Sequence, residues 1–426
     1  MKLLIKGGNV INADLNECNG IYDVLVEDGI IKKISEGIDE GLADQVVDAS
    51  GKCLMPGFID LHVHFREPGF THKETVKTGS MAAARGGYTS VFCMPNTKPV
   101  IDSAESYKLL EDIISKDAVV NVHPVGAVTK GQKGEELAEI EKMASLGMLA
   151  ISEDGKSVMD SAIYRKAMKI AKNAGVAVFA HCEDINLVEG GVMNAGHKAD
   201  EMGFKGISNA VEDIIAARDI LLAKETGVKL HLCHCSTKDS VTMLRMAKEE
   251  GLDVTGEVCP HHFTLTDEDI KNDDSNYKMN PPLRSREDVE ALKDGIAKGY
   301  VTVISTDHAP HSAEEKAKSI KDAPFGIVGL ETSFALSYTE LVKSGLISVN
   351  KLVECMSINP AKVAGIDRGV IKEGAVCDIA ITDTGHEYKI DKNEFASMGK
   401  NTPFDGYTVT GKVVCTIVSG KVVYSE

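Results

Sequence analysis

Apolar and polar positions alternate with period two at both ends of the chain, and give way to a strand-and-helix rhythm between them. Near the N-terminus, Lys2 to Ile5, Asp23 to Glu27 and Ile30 to Ile34 read as strands, with Asp28-Gly29 as a hairpin turn between the last two. At the other end Asp378 to Thr382 and Lys412 to Val418 alternate, and Ser419-Gly420 turns the chain into Lys421-Val422-Val423-Tyr424. Together these ends predict one small β-sandwich domain built from residues 1–54 and 365–426. Within 55–364 eight apolar runs end near His64, Asn96, Gly126, Asp154, His181, His234, Glu257 and Asp307. Helical patterns between them span Lys73 to Arg85, Ala104 to Lys116, Glu135 to Ser145, Ser161 to Asn173, Ala210 to Thr226 and Thr237 to Glu250. Strands alternating with helices predict a parallel sheet. Eight such units predict an α/β fold of the (β/α)₈ barrel type, whose chemistry gathers at the C-terminal strand ends.

Those ends are rich in groups that bind metals. In Asp60-Leu61-His62-Val63-His64, strand alternation puts Asp60, His62 and His64 on one face. Neutral imidazole is a common ligand for zinc and similar ions. In Val228 to His234, the same rule groups Leu230, Leu232 and His234 on one face. It turns His231, Cys233 and Cys235 to the other, toward helices, so His234 is the expected ligand and His231 a core residue. Asp154, His181 and Asp307 fall at further strand tips. Four histidines and two aspartates exceed what one four-coordinate ion needs, and suggest two metals sharing a carboxylate. Arg66, two residues past His64, has the planar fork to clamp a carboxylate. Glu257 is expected to hydrogen-bond rather than ligate, His261 and His262 to support the site, and His308 to lie opposite Asp307.

Composition narrows the partners. The net charge of −17, from 47 Lys+Arg against 64 Asp+Glu, argues against nucleic acid and against an anionic membrane surface. No apolar run is long enough for a transmembrane helix. The N-terminal stretch is too short for a secretory signal, and ten scattered cysteines without a Cys-x-x-Cys pair suit reduced thiols. A cytoplasmic enzyme with a small-molecule substrate is expected.

Several motifs narrow the expectation further. They are His62-x-His64, Phe65-Arg66-Glu67-Pro68-Gly69, Met94-Pro95-Asn96-Thr97, Ser152-Glu153-Asp154-Gly155 and His234-Cys235-Ser236-Thr237. With them stand Lys278-Met279-Asn280-Pro281-Pro282-Leu283-Arg284 and Thr306-Asp307-His308-Ala309-Pro310-His311. Over essentially the whole chain they resemble class I dihydroorotases of the amidohydrolase superfamily. The resemblance implies two Zn²⁺ ions bridged by Asp154 and a hydroxide. His62, His64 and Asp307 would hold the first ion, and His181 and His234 the second. Asp154 would replace the carboxylated lysine used by hydantoinases and some other dihydroorotases. Asp307 would also be the catalytic base. His64, Arg66, Asn96, Asn280 and His311 would bind substrate, with the backbone at Phe325-Gly326 against its ring. The implied reaction joins (S)-dihydroorotate and N-carbamoyl-L-aspartate in pyrimidine synthesis. The resemblance also carries a homodimer and an association with aspartate carbamoyltransferase as expectations. The rival readings are another cyclic amidase, such as a hydantoinase or allantoinase, and a non-catalytic scaffold for aspartate carbamoyltransferase.

Overall fold

The structure is a computed structural model that describes residues 2–426. Both chain ends enter one eight-stranded mixed sheet. Its order is Lys421–Ser425, Thr408–Val418, Ile379–Lys389, Cys53–Pro56, Lys2–Val10, Gly20–Glu27 and Ile30–Ser35, with Gln45–Asp48 also paired to Lys2–Val10. The two predicted turns form: Asp28 and Gly29 have φ of 50° and 81°, and Ser419 and Gly420 have 47° and 74°. Left-handed values at both central residues match the twist of a tight hairpin. The alternation pays off in a shared apolar core of Leu3, Ile5, Val24, Val26, Leu54, Ile379, Ile381 and Ile417. The strands form one continuous bonded sheet rather than two separately bonded layers, because Lys2–Val10 changes partner along its length. Leu3 to Lys6 pair with Gln45 to Asp48, whereas Asn9 and Val10 pair with Cys53 and Leu54 beyond an irregularity at Ile5/Gly8. Such irregularities are how sheets turn corners.

Cys53–Pro56 belongs to this sheet and leads through Gly57 directly into Phe58–Val63, the first strand of the middle region. There Phe58–Val63, Tyr88–Cys93 and Asn121–Pro124 pair in parallel. Gly126–Ala127, Ala150–Ser152, Ala177–Ala180, Leu230–Leu232, Val254–Val258 and Val303–Ile304 form a second parallel run. The segment from Asn121 to Ala127 serves both, and a parallel bridge between Val63 and His308 ties the last strand's extension to the first. His64 N–H donates to the His308 carbonyl at 2.8 Å, which brings Asp307 beside the His62-x-His64 pair.

Helices fall between these strands close to their predicted places, and caps set where they start. Val76–Arg85 begins three residues later than expected because the Thr75 hydroxyl caps it, accepting from Thr78 N–H. Ile140–Ser145 begins five residues late because Glu136 is used otherwise: its carbonyl accepts from Lys130 N–H at 2.7 Å beside a Thr129–Leu137 bridge. No helix among the described residues is long and apolar enough to cross a membrane.

At Gly86 the end of Val76–Arg85 passes so close to the Leu330 carbonyl that an added methyl would collide with its oxygen. Gly86→Ala should therefore cost about 1–3 kcal/mol, the usual price of overpacking. Gly175→Ala, at φ 71° with open space around the new methyl, should cost only about 1 kcal/mol from its left-handed backbone. Urea midpoints of the two variants check the order; the reverse order would show that the Gly86 approach is not tight.

Candidate active site

Six side chains from five strand ends converge in one cluster with Asp154 at its centre. His62 Nε2 lies 3.1 Å from Asp154 Oδ1 and 3.5 Å from Asp307 Oδ1. His64 Nε2 lies 3.4 Å from Asp154 Oδ2 and 3.1 Å from Asp307 Oδ1. His181 Nδ1 and His234 Nε2 sit 3.4 and 3.7 Å from Asp154 Oδ1, and 2.9 Å from each other. All six residues are buried.

The surroundings decide which ring nitrogens carry protons. Glu257 Oε1, an acceptor, lies 3.1 Å from His62 Nδ1, so the proton is there and Nε2 presents a bare lone pair. Asn96 donates its Nδ2 to Asp154 Oδ2 at 3.3 Å, which turns its Oδ1 to His64 Nδ1 at 2.9 Å. His64 Nε2 is then bare as well. His181 gives its Nε2 proton to Glu183 Oε2 at 3.2 Å and keeps Nδ1 bare. Each of these imidazoles thus aims an unshared pair at the carboxylates of Asp154 and Asp307. Lone pairs facing lone pairs inside a dry site repel, and His62 Nε2 makes no hydrogen bond although a carboxylate oxygen is 3.1 Å away. Cations between them convert the repulsion into coordination. The spacings fit, because a tetrahedral site with bonds of about 2.0–2.1 Å has ligand-to-ligand edges of roughly 3.3 Å.

The field is strongly negative. Where protons rather than metal fill these positions, burial works to raise the Asp154 pKa, but a charged His62 and hydrogen bonds from His181, His234 and His62 hold it well below the usual carboxylate range. Burial likewise works to raise the Asp307 pKa, and a hydrogen bond from His64 with the charges of His62, His64 and His234 outweighs it and holds the carboxyl low. In that proton-filled form His181 is pushed up to about 10, against burial, by its bonds to Asp154 and Glu183. Protons and metal ions compete for the same positions in such a cluster, so metal binding would release protons.

A cavity of about 160 Å³ opens over this cluster, lined by His64, Arg66, Asn96, Asp154, Asn280 and Asp307, and by Phe325 and Gly326. Arg66 Nε donates to the Pro310 carbonyl at 3.1 Å, which aims the guanidinium across the opening. Asn280 Nδ2 donates to Glu183 Oε1 at 2.9 Å, so one carboxylate steadies both a metal-facing histidine and a pocket amide. His311 stands behind the wall. Its Nε2 gives a proton to the Phe325 carbonyl at 2.8 Å, and its Nδ1 faces Lys73 Nζ at 3.4 Å. Lys316 Nζ reaches the carbonyls of Pro324 and Gly326 at 3.2 and 3.0 Å, and Lys278 Nζ that of Ala323 at 2.6 Å. These two ammonium groups pin the Phe325-Gly326 loop. Neither Lys316 nor Glu183 stood out in the sequence, although Glu183 lies two residues past His181, and Lys278 entered only as the first residue of the motif around Asn280.

Two facing assignments need correction. Leu230 and Leu232 pack with the helix residues Ile215, Val241 and Leu244, while His231 points inward to the Phe179 ring and to Glu257 Oε2 at 3.0 Å. The alternation was reversed there. His234 nevertheless reaches the site because the strand ends at Leu232 and His234 turns to φ 33°. Asp60 does not share the His62-His64 face. It accepts from Thr306 N–H and Oγ1 at 3.1 and 2.6 Å and from His62 N–H at 3.0 Å. A register shift between Asp60 and Val63 turns His62 inward instead. Glu257 plays the hydrogen-bonding part expected of it, joining His62 to His231.

Comparison with known proteins agrees with this geometry. A sequence model of the dihydro-orotase-like family matches residues 51–240. The dihydroorotase of Acetivibrio thermocellus is 47% identical over 424 residues, covering 100% of this chain and 99% of that protein. The dihydroorotase of Pelotomaculum thermopropionicum is 48% identical over 426 residues, with coverage of 100% and 99%. Among solved structures, the L-hydantoinase (dihydropyrimidinase) of Arthrobacter aurescens superposes with a TM-score of 0.88 at 28% identity, covering 99% of this chain and 96% of that one. The D-hydantoinase (dihydropyrimidinase) of a Thermus species gives 0.85 at 27% identity, with coverage of 99% and 95%.

Asp154→Ala should leave four imidazoles and Asp307 without the carboxylate they share. Elemental analysis of the purified variant is expected to show at least one fewer metal equivalent than the parent protein. Full retention of the parent's metal content would remove Asp154 from its central place.

Proposed function

The chain belongs to the dihydroorotase family, and on that premise we propose that it interconverts (S)-dihydroorotate and N-carbamoyl-L-aspartate in the de novo pyrimidine route. We read it as the class I type, with the two parallel sheets as one (β/α)₈ barrel over 55–364 and the mixed sheet as a separate domain. The observation that carries the reading is the pairing, in one cavity, of the lone-pair cluster at Asp154 with the Arg66 guanidinium. One end of the pocket suits hydrolysis of a cyclic amide, and the other suits a carboxylate that does not react. A hydantoin or dihydropyrimidine ring without a carboxylate has no use for Arg66. By the family resemblance Asp154 would take the place of the modified lysine of hydantoinases; the nearby Lys156 Nζ is tied to the Gln132 carbonyl at 3.0 Å.

The metal is read as two Zn²⁺ ions, held by His62, His64 and Asp307 on one side and by His181 and His234 on the other, with Asp154 shared. When bound, such a pair lowers the pKa of water and polarises a carbonyl oxygen. The remaining work falls to the chain itself. Arg66 grips the ring carboxylate bidentately, Asn96 and Asn280 address the ring amides, and the Phe325-Gly326 backbone lies against the ring. Gly326 suits that place: at φ 123°, a methyl there would press into the Ala309 side chain. Asp307 is the base. It is kept ionised at neutral pH, takes a proton from the attacking water and delivers it to the departing ring nitrogen. His311 supports the pocket through the Phe325 carbonyl.

Purified protein should consume dihydroorotate, followed by its ultraviolet absorbance. It should lose that activity to a chelator, regain it with Zn²⁺, and leave hydantoin and dihydrouracil largely untouched. Turnover of the uncharged rings with none of dihydroorotate would move the assignment to the hydantoinases. Arg66→Lys keeps the charge but loses the fork, so it should chiefly raise KM, by about 1–3 kcal/mol of lost binding. Asp307→Asn should lower kcat by roughly 10²–10⁴, the usual worth of a positioned base. A KM effect in Asp307→Asn with kcat intact would take the proton transfer away from that residue.

A further inference from the structure

Cys259, His261 and His262 form another group of metal-binding side chains, which the proposed reaction does not use. They lie where the chain leaves strand Val254–Val258 and enters the short helix Pro260–Thr264. One donor atom from each falls within 4.8 Å of the other two. The residues are 0%, 2% and 2% exposed, and the two imidazole centroids are 4.3 Å apart. His262 Nε2 is 2.9 Å from the Pro281 carbonyl, which only accepts. Its ring proton is therefore on Nε2, and Nδ1 is a bare lone pair. That Nδ1 and His261 Nε2 are both buried with no partner. Buried polar atoms in native proteins are nearly always paired, so two orphans beside a thiol ask for a ligand. Protonation does not supply it, because burial drives His262 down to about 3 and His261 well below its ordinary value. The rings stay neutral, the form in which imidazole ligates metals.

We propose that Cys259, His261 and His262 bind one thiophilic d¹⁰ cation, Zn²⁺ or Cu⁺, separate from the catalytic ions. A thiolate and two neutral imidazoles suit either ion. Burial raises the Cys259 thiol far above its usual pKa, so it is protonated when empty. Loading breaks the S–H bond, forms one metal–sulfur and two metal–nitrogen bonds, and releases one proton. With Cu⁺ the centre is neutral; with Zn²⁺ it keeps one positive charge, near the carboxylates of Asp307 and Glu257 that already act on Cys259. The bound ion would clamp the turn between two parts of the catalytic pocket. Glu257, two residues before Cys259, holds the His62 ring proton, and Pro281, which His262 contacts, follows Asn280.

The test uses Co²⁺ as probe in the metal-stripped full-length protein. The catalytic donors proposed above are all nitrogen and oxygen, so a thiolate-to-cobalt charge-transfer band would report sulfur ligation. The band is expected in the parent, absent in Cys259→Ser, weakened in His262→Gln, and retained in Cys182→Ser and Cys233→Ser. A parallel Cu⁺ titration against a competing chelator should bind one equivalent that Cys259→Ser loses. A cobalt band identifies a zinc-class site; copper binding without it identifies a Cu⁺ site. Should Cys259→Ser not fold, X-ray absorption of the zinc- and copper-loaded parent decides, with one sulfur scatterer expected. No sulfur ligation of either metal, or ligation that survives Cys259→Ser, overturns the proposal. Dihydroorotase activity is measured separately, so its presence or absence does not bear on this outcome.

Discussion

The structure depends on one arrangement that would be unstable without cations: a buried carboxylate surrounded by imidazole lone pairs. Asp154 is 3% exposed and has ring nitrogens of four histidines within 3.7 Å. Burying one unpaired charge is costly, and burying acceptors against acceptors is costlier still. A fold can hold such a cluster only if it is rigid and if positive charge fills the gaps. Strand ends supply the rigidity. The six side chains come from five strand ends or from the turns just beyond them, His62 and His64 sharing one, and the strands themselves are locked by parallel pairing and apolar packing on both faces. The converging lone pairs suit a metal ion, and a group with that arrangement couples metal binding to the release of protons.

The outer acceptors make the convergence possible. A histidine with a free choice of tautomer could turn a proton into the cluster and satisfy it without metal. Glu257, Asn96 and Glu183 remove that choice from His62, His64 and His181 by taking the proton on the far nitrogen. Two of these do a second job. Glu257 also binds His231 and the His234 backbone, and Glu183 also binds Asn280. The imidazole cluster and the wall of the cavity are therefore held by shared groups. A disturbance at one is expected to be felt at the other, which ties the hydrolytic end of the cavity to its recognition end.

Much of this was legible in the sequence, and the rest failed for reasons that can be named. The apolar runs, most helices and the meeting of both β-rich chain ends follow from periodicity and turn chemistry, which are local, whereas the continuous sheet in place of the expected sandwich does not. The six cluster residues could be picked out because each is a His or Asp at the end of an apolar run. Alternation, however, assumes a regular strand. It put Asp60 on the face of His62 and His64 and turned His231 outward, and the structure reverses both. A register shift after Asp60 and an early strand end at Leu232 break the period of two within a residue or two of the ligands. The contacts of Glu183, Lys278 and Lys316 were invisible for a different reason. Their importance lies in partners 97, 45 and 8–38 positions away, and no local pattern marks those pairings.

The irregularities that defeat the sequence rule are also where the backbone is least relaxed. Arg66, His234 and Asp307 have φ of 60°, 33° and 50°, values that non-glycine residues seldom adopt. Each such residue costs of order 1–3 kcal/mol and persists only where its surroundings over-determine it. A regular strand can present every second side chain to one spot, but only along a line. Gathering ligands from several strands around ions, while turning a guanidinium over the opening, needs the chain to leave the strand abruptly. The left-handed turns at Arg66, His234 and Asp307 make that departure in a single residue. Glycine would adopt them freely but would leave no imidazole, carboxylate or guanidinium there. The strain therefore sits on residues whose side chains cannot be given up, and the packed strands behind them supply the rigidity that maintains it.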